Sequence, residues 1–76
     1  MDDLLAWIAR GLVDEPDAVR VERIDDGDVV VLRLQVAPED VGKVIGRQGR
    51  VARALRTVVR AAGARGDRRL VLEIAD

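Results

Sequence analysis

The densest chemistry in the sequence lies in Val41-Gly42-Lys43-Val44-Ile45-Gly46-Arg47-Gln48-Gly49-Arg50. Gly46 and Gly49 stand three apart. Each can take backbone angles that a β-carbon forbids, and each leaves room for another backbone to approach. The spacing predicts that they join a short helix to a long one. At the start of the long helix, unpaired N–H groups and the positive end of the helix dipole favour an anion. Arg47 and Arg50 add positive charge there, Lys43 lies one turn back, and no acid intervenes. Donors, charge and the absence of a side-chain wall are what a phosphate-bearing backbone requires. A Gly-x-x-Gly pair alone is weak, because two such glycines more often make only a tight turn.

Other chemistry is sparse. The 76 residues contain no Cys, His, Ser, Asn, Phe or Tyr. That removes disulfides, thiolate and imidazole metal sites, and the usual nucleophile–base pairs. Carboxylates, one Lys, many Arg and the lone hydroxyl of Thr57 remain, so an enzyme, a metal site or a cofactor is not expected. Glu39 and Asp40 are adjacent acids, but helix-start residues explain them better than catalysis does. No apolar run approaches the roughly 18 residues of a membrane span. The acidic opening Met1-Asp2-Asp3 is unlike a signal peptide, so a cytoplasmic location is expected.

The elements that must position the glycine loop follow from periodicity. Asp2 and Asp3 can cap a first helix over about residues 3–13, with Leu4, Leu5, Ile8 and Leu12 on one face. Pro16 ends that stretch. Strands are expected at about 18–25 and 28–37. The second alternates Val30, Leu32, Leu34 and Val36 against Val29, Val31, Arg33 and Gln35. The first is weaker, because Ile24 is out of phase with Val19 and Val21. Asp25-Asp26-Gly27-Asp28 between them is a hairpin signal. Pro38 then opens a short helix carrying Val41, Val44 and Ile45. A third helix runs to about Ala62 with Val51, Leu55, Val58, Val59 and Ala62 on one arc and Arg50, Arg53, Arg56 and Arg60 opposite. Leu70, Leu72 and Ile74 mark a last strand. The fold class is α+β in the order α-β-β-α-α-β. Its three-stranded mixed sheet carries three helices on one face, with a two-helix crossover making the last strand parallel to the second.

Charge follows the same division. The net charge is −1, yet residues 41–66 hold seven cations and no acid, while residues 1–40 hold four Arg and eleven acids. A dipolar chain of this kind can offer a positive face to an anion despite an acidic pI, although the arginines could equally solvate a helix.

Val44-Ile45-Gly46-Arg47-Gln48-Gly49, set in this order of elements, resembles the signature of KH domains in the type II arrangement. The stretch from Val36 to Arg50 resembles the KhpA-type family of small bacterial RNA-binding proteins. The likeness extends to Leu12-Val13-Asp14 before Pro16 and to Leu72-Glu73-Ile74, so residues 1–76 are expected to form one KH domain. KH domains clamp about four nucleotides of single-stranded RNA. The resemblance implies that Gly46, Arg47, Gln48 and Gly49 hold phosphates. Val44 and Ile45 would line an apolar groove under the bases, with Lys43 and Arg50 at its edges and Arg53 extending the track. It places the Asp25–Asp28 loop as the opposite jaw, where three acids would limit affinity. It also implies an RNA chaperone or post-transcriptional regulator that homodimerises, joins a KhpB-type partner and acts in cell-envelope growth and cell shape.

Several residues carry a second reading. Trp7 is expected at the core edge, or else at a subunit or partner contact. Arg56 and Arg60 are expected to be solvated or to face a partner. Val29 and Val31 point away from the helices, through strand propensity or as an association surface. Two rivals stand beside RNA binding: a KH-shaped protein-interaction module with negligible RNA affinity alone, and a DNA-binding helix–turn–helix, for which Gln48 is the only base-reading amide.

Overall fold

A computed structural model describes residues 1–66 and 68–75; Asp67 and Asp76 lie outside the described residues. The chain forms α1 (Asp2–Leu12), β1 (Arg20–Asp26), β2 (Val29–Gln35), α2 (Val41–Ile45), α3 (Arg50–Gly63) and β3 (Arg69–Ile74). Short 3-10 turns at Pro16–Ala18, Pro38–Asp40 and Arg47–Gly49 connect them. The strand order is β1-β2-β3. β1 pairs antiparallel with β2, and β3 pairs parallel with it. The order of elements and the mixed sheet match the expected type II KH arrangement.

Period-two patterning in β2 sends Val30, Leu32 and Leu34 into the core, where Leu5, Ala9, Val44, Leu55, Val59 and Leu72 meet them. The register explains why β1 reads poorly. Ile24 is opposite Val31, which is opposite Val71, so these three share the face that no helix covers. Opposite Leu32 on the covered face stands Arg23, whose guanidinium reaches Asp2 of α1 at 2.9 Å. A polar partner on α1 thus replaces an apolar residue at the sheet edge. Asp2 therefore acts within the first turn rather than as a cap, since the capping position falls on Met1.

Two helices bury narrower stripes than their apolar patterns foretell. In α1 the buried line is Leu5 and Ala9, while Leu4, Trp7 and Leu12 are exposed. Trp7 is 71% exposed, which corrects its expected place at the core edge. In α3 the buried line is Ala52, Leu55, Val59 and Gly63. A β-carbon on Gly63 would lie 2.7 Å from the Leu70 nitrogen, so a glycine there lets α3 rest directly on β3. Val58 is left exposed. Val51, Ala54 and Val58 face Ile8 and Leu12 across an open apolar groove of about 390 Å³.

Candidate functional site

The glycine loop lies at the junction of α2 and α3 and is open to solvent. Arg47 and Gln48 are exposed, and the two glycines are half-buried. Three residues in the loop have positive φ: Gly46 (77°), Gln48 (58°) and Gly49 (74°). Gln48 is the one non-glycine in the described chain held there, a conformation that marks local strain at functional loops. Gly46 and Gly49 differ in kind. A β-carbon at Gly46 would stand 2.5 Å from Val51 Cγ2 and 2.9 Å from the Val51 nitrogen, so the first turn of α3 packs against that bare backbone. A β-carbon at Gly49 would meet nothing within 4 Å.

The loop's main chain is only partly self-satisfied. Gly46 N–H donates to the Gly42 carbonyl (2.9 Å) and Gly49 N–H to the Gly46 carbonyl (3.1 Å). Among the described residues, the N–H groups of Arg47 and Gln48 find no main-chain carbonyl outside regular helix and strand bonding. No side chain caps α3. Two amides without a main-chain partner of that kind, a helix start with no side-chain cap and an exposed guanidinium are the kinds of donor that an anion requires.

The remaining expected site residues separate. Val44 is fully buried, so it supports the loop from beneath and offers no surface to a ligand. Ile45 is 37% exposed and keeps an apolar surface beside the loop. Lys43 turns away. Its Nζ donates to Asp14 Oδ2 at 2.7 Å and stands 3.5 Å from Asp40 Oδ1. The Asp14 carboxylate holds the ammonium above its ordinary value of 10.5 despite opposing desolvation. Asp40 is fully buried, and its Oδ2 accepts the Glu15 N–H at 3.0 Å. Its Oδ1 makes no hydrogen bond and has only the longer ionic contact to Lys43. Asp40 thus ties the segment after α1 to the helix that carries the loop. Arg50 leans toward α1 at the mouth of the apolar groove and reaches Gln48 Oε1 at a long 3.5 Å. Arg53 is exposed on α3.

Arg56 and Arg60 are exposed, as their place on the helix implied, but the sequence did not show what lies beside them. They line a groove of about 400 Å³ with Arg69, Leu70, Val71 and Leu72 of β3. The wall facing α3 is therefore β3, an edge strand, and not the acidic hairpin. The hairpin sits at the other end of α3 from the glycine loop, about 20 Å away by the helical rise. There the Asp28 carbonyl accepts the Arg69 N–H, and Arg68 pairs with Asp25. Parallel pairing of β3 with β2 dictates this, because it sets the start of β3 beside the hairpin end of β2. The lone hydroxyl, Thr57 Oγ1, is spent on the Arg53 carbonyl at 3.0 Å. Among the described residues, no group of three His, Cys, Asp or Glu could hold a metal ion, and no helix is long and apolar enough to cross a membrane.

This frame and loop agree with one family. The family model described as KhpA/KhpB, KH domain matches residues 2–74. The chain belongs to this family. It is 53% identical over 76 residues to a protein of Halalkalibacterium halodurans named RNA-binding protein KhpA, with 100% of both chains covered. A protein of the same name from Clostridium acetobutylicum is 51% identical over 74 residues, covering 97% of this chain and 99% of the relative. Another from Bacillus subtilis is 46% identical over 76 residues, covering 100% of this chain and 94% of the relative. The matched residues 2–74 include the glycine loop at 46–49.

Proposed function

We propose that residues 1–76 act as one type II KH unit that binds single-stranded RNA without catalysis, holding the sugar-phosphate backbone at Gly46, Arg47, Gln48 and Gly49. The observation that carries this reading is the exposed loop. Its Arg47 and Gln48 are exposed, their amides have no main-chain partner outside regular helix and strand bonding, and no acid pairs with the Arg47 guanidinium among the described residues. The relatives' name, RNA-binding protein, supports it. Ile45 supplies the apolar contact under a base, and Arg53 continues the positive track. Lys43 has no place in the contact while Asp14 holds it. The test is fluorescence anisotropy with a labelled single-stranded oligouridine and a duplex DNA of equal length over a range of salt. Preference for the single strand is expected, with log affinity falling by about 0.7 per decade of salt for each phosphate held. Equal affinity for duplex DNA, or a flat salt response, overturns it.

The cellular reading is an RNA chaperone or post-transcriptional regulator in the cytoplasm, self-associating and working with a KhpB-type partner in cell-envelope growth and cell shape. The self-association rests on exposed Trp7, Leu4, Leu12 and Val58. A solvated Trp of this kind is a common anchor at protein interfaces. Trp7→Ala is expected to weaken self-association about tenfold or more in sedimentation velocity; a wild-type chain that stays monomeric at high concentration removes that part. The same apolar surface favours the second reading, an interaction module with negligible RNA affinity alone. RNA titration with and without the partner separates the two.

A further inference from the structure

Resting on the RNA reading above, we infer that Asp40 is a positioning residue for the glycine loop, acting through its pairing with Lys43 and without touching the strand. Asp40 stands at the start of α2, yet its side chain makes no capping bond there. It is instead fully buried, the only charged side chain so placed among the described residues. Its Oδ2 accepts the Glu15 N–H at 3.0 Å. Its Oδ1 makes no hydrogen bond and has the Lys43 ammonium, at 3.5 Å, as its ionic partner. A buried ion pair adds little net stability, because desolvation offsets the attraction. Removing one member leaves a charge that the interior solvates poorly. Such a pair therefore fixes an arrangement more than it strengthens a fold.

What it fixes is the orientation of α2. Five residues make a helix too short to hold its place by its own hydrogen bonds. Val44 anchors it in the core, but apolar burial has no preferred direction. The charged contacts do have one. Asp14 and Glu15, adjacent in the segment after α1, hold Lys43 and Asp40 at the start of α2. Lys43 is the chain's one lysine, and its ammonium spans both carboxylates, 2.7 Å from Asp14 Oδ2 and 3.5 Å from Asp40 Oδ1. Next to Lys43, the Gly42 carbonyl accepts the Gly46 N–H at 2.9 Å. Turning α2 about its axis therefore moves Gly46, whose bare backbone packs on Val51 of α3. The Arg47 and Gln48 amides follow, since they come next in the chain. An acid acting on the loop only through its field would oppose a phosphate. A positioning role has the opposite sign, so neutralising Asp40 weakens RNA binding.

Asp40→Asn, Lys43→Gln, Lys43→Arg and the double variant Asp40→Asn with Lys43→Gln test this against a labelled oligouridine. Anisotropy is read at a temperature where circular dichroism shows each protein folded. Asp40→Asn keeps the side-chain shape and an acceptor for the Glu15 N–H. It is expected to bind about fivefold more weakly than wild type, although a negative charge is gone. Lys43→Gln is expected to lose about tenfold with the salt slope unchanged, and Lys43→Arg to restore binding to near the wild-type level. The double variant leaves no unpaired buried charge and is expected to bind no worse than Lys43→Gln alone. Without RNA, the amide resonances of Gly46 and Gly49 should shift in Asp40→Asn. Wild-type or tighter binding by Asp40→Asn overturns the inference, as do unmoved resonances. A loss of about fiftyfold in the double variant overturns it too, because independent sites add. So does a salt slope lowered by about 0.7 in Lys43→Gln, which makes Lys43 a phosphate contact. Lys43 is exposed, so its variants decide the matter if Asp40→Asn does not fold. In all these cases Arg47→Asp with Gln48→Asp still loses binding. If that loop variant binds as wild type, the underlying RNA reading fails.

Discussion

Arg47→Asp combined with Gln48→Asp is expected to reduce affinity for single-stranded RNA by about 100-fold or more, equivalent to about 2.7 kcal/mol, while leaving the melting temperature nearly unchanged. The double change replaces one positive charge and one neutral amide with two carboxylates beside two loop amides that have no main-chain partner outside regular helix and strand bonding. Folding escapes for separate reasons. Both side chains are solvent-exposed. Position 48 has φ of 58°, a region that Asp enters more readily than most residues. Acids just before α3 also favour its dipole, so any stability change should be small and positive. Binding is thus lost while stability is kept, which a loss through misfolding cannot imitate. Anisotropy and thermal melting on the same preparation decide it, and undiminished RNA affinity refutes the loop assignment.

Gly46→Ala should act the other way, on the fold itself. At φ 77° and ψ 173° this residue occupies a region open essentially to glycine alone. The added carbon would also stand 2.5 Å from Val51 Cγ2 and 2.9 Å from the Val51 nitrogen. The side-chain methyl can rotate, but the backbone nitrogen cannot. Strain and overpacking together cost about 3 kcal/mol, a large part of the stability of so small a chain. A fall in melting temperature of roughly 12 °C or more follows. Gly49→Ala meets no atom within 4 Å, and the left-handed backbone alone costs about 1 kcal/mol. Differential scanning calorimetry of the two variants should therefore separate them clearly. Equal losses would mean that the close approach of Val51 does not govern the loop.

These two glycines show the limit of reading a motif from its spacing. Both are glycines for a conformational reason that the sequence states. Only the fold makes one of them a packing contact as well. The same holds for the candidate contacts. Arg47, Gln48 and Ile45 are accessible, as their position beside the turn implied. Val44 has the same apolar character as Ile45, but lies one step around the helix, in the core. Lys43 was drawn off by Asp14, 29 residues away in the chain, a partner that no local pattern could supply.

Local chemistry decided a great deal. Alternation set β2 and β3, because a strand's two faces repeat every second residue and the pleat enforces it. Proline and glycine set the ends of helices. A segment of seven cations without an acid made a positive surface inevitable, since charges this dense cannot be buried. What tertiary packing alone decided is which flank of α3 does what. An amphipathic helix has two borders between its buried and solvated sides, and its sequence does not say which neighbour each will meet. Docking on a sheet whose edge is β3 gave one border, Arg56 and Arg60, a strand to form a cleft with. The other border, Val51 and Val58, faces α1 across an apolar groove. Parallel pairing moved the acidic hairpin to the far end of that helix. Periodicity specifies a face, but a neighbour is specified only by contacts between residues distant in the chain.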